Sequence, residues 1–274
     1  MDQQQLRRLQ GAFTACGATA SPLGRRLCEE AAASPAVAEL FSQFYRTISA
    51  EVPDVRLFAS GLHYLGVPLD SVDAVVRGER ETLLDYMLSQ TFRPRAATQA
   101  PELARGAREV AAKFGGGLSL VEWNCGAGLN LLLDLSPVAV VGRYGLDPAP
   151  FDLTAPEDRR VLQSFFWPDQ VQPLPTASLD IRQGEAETAL LALLTEAYAA
   201  MPPGNTLLIM DAYAWGELTD PQKQQITWQI QHLAGHLAPH KPMAWVQAEP
   251  GALRLQTFGW ADPEDREVRR LPLA

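Results

Sequence analysis

The sequence is poor in cysteine and has no long uninterrupted apolar run. Its three cysteines, Cys16, Cys28 and Cys125, form no Cys-x-x-Cys pair, and their odd number argues against a disulfide framework. No segment approaches the run of about 18 apolar residues that identifies a membrane-spanning helix, and residues 1–8 lack the apolar core of a signal peptide. These absences predict a protein of the reducing cytoplasm that does not associate with membranes.

Basic residues are outnumbered by acidic ones. The 23 lysines and arginines against 32 aspartates and glutamates give a formal net charge of −9. Such a charge repels phosphate backbones, so we expect no nucleic-acid partner. The sequence also lacks the Gly-x-Ser-x-Gly elbow of α/β hydrolases and the Gly-x-x-x-x-Gly-Lys-[Ser/Thr] loop of nucleoside triphosphatases. Neither of these enzyme classes is therefore expected.

The pattern of the sequence changes near its middle, at the triple glycine of residues 115–117. Before it, apolar residues recur at helical spacing, which predicts an all-helical N-terminal domain over residues 1–116. After it, short apolar runs alternate with helical stretches over residues 117–274. That alternation indicates a mostly parallel sheet with helices on both faces. The predicted fold class is therefore α/β.

The predicted elements follow from these periodicities and from capping signals. Predicted strands cover residues 119–123, 138–146, 180–183, 207–211 and 243–247, with a closing antiparallel pair at 253–258 and 267–271. Predicted helices cover residues 54–65, 79–89, 101–114, 128–135, 156–166, 186–200 and 221–237.

The most informative segment is residues 120–129, Leu-Val-Glu-Trp-Asn-Cys-Gly-Ala-Gly-Leu. It combines a buried strand, an acidic residue, a tight glycine turn and the start of a predicted helix. Gly126 and Gly128 let backbone N–H groups approach a ligand closely, while the N-terminus of the helix adds positive potential. The segment therefore predicts a site for an adenine-containing cofactor.

Two cofactor classes compete for this segment. A dinucleotide fingerprint needs a third glycine where this chain has Leu131. The pattern Glu-x-Asn-x-Gly-x-Gly from Glu122 to Gly128 instead resembles motif I of class I S-adenosylmethionine-dependent methyltransferases, with Asn124 in place of the first glycine. Asparagine tolerates left-handed backbone better than most residues. The resemblance implies S-adenosylmethionine as the cofactor and leaves an NAD-dependent oxidoreductase as the weaker alternative.

Polar residues follow the first four predicted strands. Glu122 and Asn124 end the first strand, Asp147 the second and Asp211 the fourth, and Glu185 follows the third. Ligands of parallel sheets bind beyond the carboxyl ends of the strands, where an acidic residue such as Asp147 can accept both ribose hydroxyls. The candidate cofactor-binding residues are Glu122, Asn124, Gly126, Ala127, Gly128, Asn130, Asp147, Pro148, Glu185 and Asp211.

Four further motifs extend the similarity along the chain. They are Ala-Gly-Leu-Asn at residues 127–130, Gly-Leu-Asp-x-x-Pro at 145–150, Thr-x-Pro-Glu-Asp at 154–158 and Trp-Pro at 167–168. With these motifs the chain resembles the bacterial domain of unknown function 2332 family. The resemblance implies a helical cap joined to a Rossmann-like, methyltransferase-type domain, without an assigned reaction. The chain departs from the family at Pro101, where the family has asparagine.

No metal site and no definite catalytic residue are predicted. His232, His236 and His240 recur every four residues, as zinc ligands on a helix can, but a glycine and a proline between them interrupt the helix. Methyl transfer needs little acid or base help because the sulfonium carries the activation. Asp211 and Glu102 are the candidates for a base.

The sequence thus predicts a cytoplasmic S-adenosylmethionine-binding protein, a methyltransferase for a small-molecule acceptor. The alternative is a non-catalytic module of the same fold with a regulatory or scaffolding role.

Overall fold

Seven strands form one sheet. In the computed structural model, which describes residues 1–48, 54–66, 71–238, 240–249, 251–258 and 266–272, the strands are β1 (Leu118–Trp123), β2 (Val140–Asp147), β3 (Ile181–Gln183), β4 (Thr206–Ala212), β5 (Met243–Glu249), β6 (Ala252–Phe258) and β7 (Arg266–Pro272). Their order is β3-β2-β1-β4-β5-β6-β7. Neighbouring strands from β3 to β5 pair in parallel, whereas β6 pairs antiparallel with both β5 and β7. The predicted mixed α/β class and the mostly parallel sheet are confirmed.

Ten α-helices occur among the described residues: α1 (Gln3–Ala18), α2 (Pro22–Ala33), α3 (Pro35–Ile48), α4 (Val55–Leu65), α5 (Val72–Gly78), α6 (Arg80–Ser89), α7 (Pro101–Phe114), α8 (Pro156–Ser164), α9 (Ala186–Ala200) and α10 (Asp220–Ala234). Short 3₁₀ turns lie at Pro94–Ala97, Leu129–Leu132 and Ala214–Glu217. In this part of the chain no helix is both long enough and apolar enough to cross a bilayer.

The chain divides into two compact units. The first, Met1–Pro94 and Ala155–Pro175, contains α1–α6 and α8. Its core combines aliphatic side chains with a group of aromatic rings: the ring of Phe13 meets the rings of Phe41 and Phe58 nearly edge-on, with centroids 5.9 and 5.7 Å away. Edge-to-face pairs of this kind add to the stabilisation from burial alone.

The second unit, Arg95–Thr154 and Thr176–Ala274, contains the sheet. Alternate residues of β1 and β4 point to opposite faces: one face packs on α9 and α10, and the other on α7. Gly106 brings α7 close to β5, because a Cβ at this position would lie 2.5 Å from Cγ1 of Val246. The predicted domain boundary between residues 116 and 117 stays a prediction; by its contacts, α7 belongs to the sheet unit.

The predicted helix over residues 128–135 is wrong, because the chain forms only the 3₁₀ turn Leu129–Leu132 there. Leu131, Leu133 and Leu135 are all buried in the core on the α7 face of the sheet. An α-helix rotates residues two apart to nearly opposite sides and would turn Leu133 away from the other two. Burial of three alternate leucines therefore favours extended chain after the turn. The expected positive helix N-terminus beside the glycine turn is absent from this described segment.

Candidate functional site

Three carboxyl groups lie at the carboxyl ends of adjacent strands. Glu122 is in β1, Asp147 ends β2 and Asp211 is near the end of β4. They are 1%, 0% and 0% exposed, respectively. Strand order reverses between β1 and β4, since β2 and β3 follow on one side and β5 on the other. Open parallel sheets bind their ligands at this reversal.

The glycine turn after β1 adopts left-handed backbone at three positions. Asn124, Gly126 and Gly128 have φ values of 51°, 58° and 69°, which glycine tolerates freely and asparagine better than most residues. A Cβ at position 126 would lie 2.4 Å from the Cβ of Ala96, in the 3₁₀ turn Pro94–Ala97. The space that this glycine leaves open is therefore filled by Ala96 of the same chain.

Asp147 holds the glycine turn against the end of β2. Its Oδ2 accepts a hydrogen bond of 2.6 Å from the backbone N–H of Gly126, and its Oδ1 accepts one of 2.8 Å from the N–H of Ala149. Both carboxylate oxygens are thus engaged by backbone donors. Bonds between a carboxylate and backbone N–H groups are charge-assisted and strong.

Glu122 is bonded on one side only. Asn130 donates from Nδ2 to its Oε1 at 2.6 Å, and the Oδ1 of Asn130 accepts from the N–H of Ala100 at 2.7 Å. The other oxygen, Oε2, is buried and has no hydrogen-bond partner in the described part of the chain. Burial raises the pKa of Glu122 to about 8, against the hydrogen bond from Asn130; the nearby charges of Asp211 and Asp147 add to the rise.

Asp211 is a second carboxyl group whose pKa is raised. Its Oδ1 accepts from the N–H of Ala214 at 2.9 Å, and its Oδ2 accepts from Nε2 of Gln247 at 3.4 Å. Burial raises the pKa of Asp211 to about 7, although these hydrogen bonds and the charge of Arg95 act in the opposite direction. A buried carboxyl with a pKa near neutrality is a candidate for proton transfer.

Arg95 is a residue of this edge that sequence reasoning missed. It donates from Nη1 to the carbonyl oxygen of Tyr213 at 2.8 Å and forms an ion pair with Glu217. The hydroxyl of Tyr213 donates to Glu102, one of the two candidate bases. Tyr213 itself has a left-handed backbone, with φ of 64°. Nothing in the local sequence around Arg95 indicates these contacts.

Three indole rings pack together in the same unit. Trp215, in the 3₁₀ turn Ala214–Glu217, meets Trp123 of β1 and Trp245 of β5 nearly edge-on, with centroid separations of 6.5 and 5.1 Å. Trp123 is fully buried and Trp245 nearly so. The turn that carries the Glu217 carboxylate is therefore anchored on an aromatic cluster.

The remaining predicted residues lie in varied settings. The side chain of Asn124 is exposed, whereas Ala127 is fully buried. The carbonyl oxygen of Pro148 accepts from Nε2 of Gln183 at 3.2 Å. Glu185 is exposed at the start of α9, two residues beyond Gln183, the residue that pairs with Asp147. The structure thus bonds Glu122 to Asn130 and Asp147 to Gly126, with Asp211 on the neighbouring strand. It leaves Asn124 and Glu185 on the surface.

The histidines and Cys125 add no site. His236 bonds through Nδ1 to the carbonyl oxygen of His232 at 2.7 Å, and α10 ends before His236. Among the described residues, no three or more His, Cys, Asp or Glu side chains are grouped to hold a metal ion. Burial raises the pKa of the Cys125 thiol far above its usual range, which keeps it protonated.

A cavity of about 310 Å³ lies elsewhere in the sheet unit. It contains none of the predicted site residues and is lined by Glu109, Ala112, Lys113, Leu255, Thr257 and Arg269.

The raised pKa values of Glu122 and Asp211 predict that the protein becomes less stable as pH rises. Native Glu122 and Asp211 keep protons that the unfolded chain, with pKa values of about 4, has released. Their contribution is complete below about pH 4 and is lost as pH rises through about 7 and 8. We expect the free energy of unfolding to fall over this range, with a slope of at most about 1.4 kcal/mol per pH unit for each group.

Urea unfolding of the Glu122→Gln variant between pH 5 and 9 tests this dependence. Glutamine keeps an acceptor for Asn130 and cannot ionise, so the part of the slope due to Glu122 should disappear. The exposed Glu185→Gln variant is the matched control and should keep the slope of the wild type. An unchanged slope in Glu122→Gln would show that Glu122 is ionised in the native protein across this range.

Residues 134–272 match a family model described as "Uncharacterized protein conserved in bacteria (DUF2332)". The match covers just over half of the 274 residues. It includes Asp147, Glu185 and Asp211 and begins after the glycine turn. No curated protein matches the chain.

Proposed function

The chain belongs to the DUF2332 family of uncharacterized bacterial proteins, and we propose that it binds S-adenosylmethionine in its sheet unit and acts as a methyltransferase on a small molecule. The observation that carries the proposal is the meeting of Glu122, Asp147 and Asp211 at the reversal of strand order. Carboxyl oxygens there can accept hydrogen bonds from two ribose hydroxyls, and a carboxyl group whose pKa burial has raised can ionise beside a cationic sulfonium. Beyond the mixed α/β class, the proposal includes a Rossmann-like methyltransferase domain preceded by a helical domain.

The described conformation does not accommodate this cofactor. Ala96 occupies the space over Gly126, and both oxygens of Asp147 accept backbone hydrogen bonds. The carboxyl groups have suitable chemistry, but the turn beside them is covered. The proposal therefore requires the cover to move, and we assign no methyl-transfer step to any residue.

The same two contacts favour a second candidate function. In a non-catalytic module, Ala96 would cover Gly126 permanently and Asp147 would serve only to hold the glycine turn. Such a protein would keep the fold for a regulatory or scaffolding role. Fold alone does not separate the two functions, so ligand binding must.

Isothermal calorimetry with S-adenosylmethionine, S-adenosylhomocysteine and NAD tests the proposal. We expect micromolar binding of the first two ligands and none of NAD, because Leu131 stands where a dinucleotide site needs glycine. Absence of heat with both adenosyl ligands would contradict the proposal and favour the non-catalytic module. Binding of NAD alone would point to an oxidoreductase.

The Asp147→Asn variant tests the role of the carboxylate. If Asp147 binds the ribose, its replacement should weaken S-adenosylhomocysteine binding by about tenfold or more. The control is Asp152→Asn, since Asp152 also accepts a backbone N–H two residues ahead, at 2.7 Å, but in an exposed turn. Equal affinity in Asp147→Asn and the control would remove Asp147 from the site.

A further inference from the structure

A short segment, residues 95–100, covers the edge at which strand order reverses; we refer to it as the strap. It begins with the first residue of the sheet unit and leads directly into α7. Ala96, Ala97 and Ala100 are 4%, 3% and 4% exposed. The short side chain of Ala96 lets the strap approach the glycine turn closely at Gly126.

The strap is attached at both ends. At its start, Arg95 bonds to the carbonyl oxygen of Tyr213 and pairs with Glu217. At its end, Gln99 donates from Nε2 to the carbonyl oxygen of Leu129 at 2.9 Å. The N–H of Ala100 donates to Asn130, and Ala96 lies between the two ends, directly over Gly126.

The two attachments differ in strength. The Ala100 end continues into α7, whose Leu103 and Ala107 are fully buried against the sheet. At the Arg95 end, the strap is held by one hydrogen bond to the carbonyl oxygen of Tyr213 and by an ion pair whose side chains are 36% and 68% exposed. Exposed ion pairs contribute little net stability because water screens them. The Arg95 end is therefore the end that can release while α7 stays in place.

We propose that the strap is a displaceable cover, and that an adenosyl cofactor enters by taking the place that Ala96 holds over Gly126. This inference rests on the proposed function. Cofactor and strap compete for the same glycine turn, so the protein binds the cofactor only in the fraction of molecules in which the strap has opened. Apparent affinity is then the intrinsic affinity reduced by that fraction.

The Arg95→Ala and Gln99→Ala variants of the full chain test the strap. Each removes one attachment and should bind S-adenosylhomocysteine about tenfold more tightly than the wild type, because the open fraction increases. The control is Arg108→Ala, since Arg108 also donates to a backbone carbonyl oxygen, that of Asp134 at 2.8 Å, but outside the strap. Hydrogen exchange of residues 95–100, with and without the ligand, is measured in parallel.

We expect tighter binding in both strap variants and no change in Arg108→Ala. We also expect the strap amides to exchange faster when the ligand is bound. Equal affinity of the wild type and the strap variants would contradict the inference that the strap is a displaceable cover, and would leave the proposed function unaffected. If the strap amides exchange faster in Arg95→Ala and S-adenosylhomocysteine binds none of the proteins, the proposed function fails, together with the ligand assigned to the strap.

Discussion

Replacement of Asp147 by alanine is expected to lower the free energy of unfolding by about 2 kcal/mol, since the buried backbone N–H of Gly126 loses its acceptor, which costs about 1–3 kcal/mol. The second donor, the N–H of Ala149, belongs to an exposed residue, so water can satisfy it and it adds little to the loss. Urea unfolding at pH 7 measures the change. Asp147→Asn keeps one acceptor oxygen and should lose about half as much.

An exposed aspartate provides the matched control for this prediction. Asp134 accepts a hydrogen bond from the N–H of Ser136 at 2.9 Å, two residues ahead, as Asp147 does from Ala149. In the Asp134→Ala variant, water can satisfy the released N–H, so the loss should be much smaller. Equal stability of Asp147→Ala and Asp134→Ala would show that the buried contact of Asp147 with Gly126 contributes no more than an exposed one.

Replacement of Gly126 by alanine is expected to cost about 3 kcal/mol of unfolding free energy. A left-handed backbone costs an L-residue about 1–2 kcal/mol, and the new Cβ would lie 2.4 Å from the Cβ of Ala96, which adds a packing penalty of about 1–3 kcal/mol. Chemical denaturation measures the loss. Because the added methyl displaces the strap, its amides should also exchange faster than in the wild type.

Gly66 separates the two contributions. It has nearly the same φ, 65°, and a Cβ there would have no heavy atom within 4 Å. Gly66→Ala should therefore lose only the backbone term, about 1 kcal/mol. If both variants lose the same amount, contact with Ala96 plays no part and the strap is not seated on the glycine turn.

The strands and their polar ends could be predicted because both signals are local. A buried strand shows in a short apolar run, and Glu122, Asp147 and Asp211 fall where those runs stop. Parallel pairing then brings the strand ends to one edge of the sheet. The antiparallel pair β6 and β7 was predicted for the same reason.

The cover over the site could not be predicted, because it depends on contacts between distant parts of the chain. Asn130 is bonded to Glu122 and to Ala100, 30 residues away. Asn130 makes those contacts from the 3₁₀ turn Leu129–Leu132, where the local periodicity of the sequence predicts an α-helix. Ala96 has no chemical group that would mark it as a neighbour of Gly126, so sequence reasoning treated the glycine as free for a ligand.

The edge-to-face indoles give the edge of the sheet an optical signal. Trp215 shares its 3₁₀ turn with Glu217, the residue that holds Arg95, and lies 5.1 Å from Trp245 between ring centroids. Emission from closely packed indoles depends on their mutual orientation. The turn stays anchored on Trp123 and Trp245, and release of Arg95 removes a charge partner from Glu217 beside Trp215. We therefore expect the tryptophan emission to change as the strap opens, and so to report the position of the strap without a label.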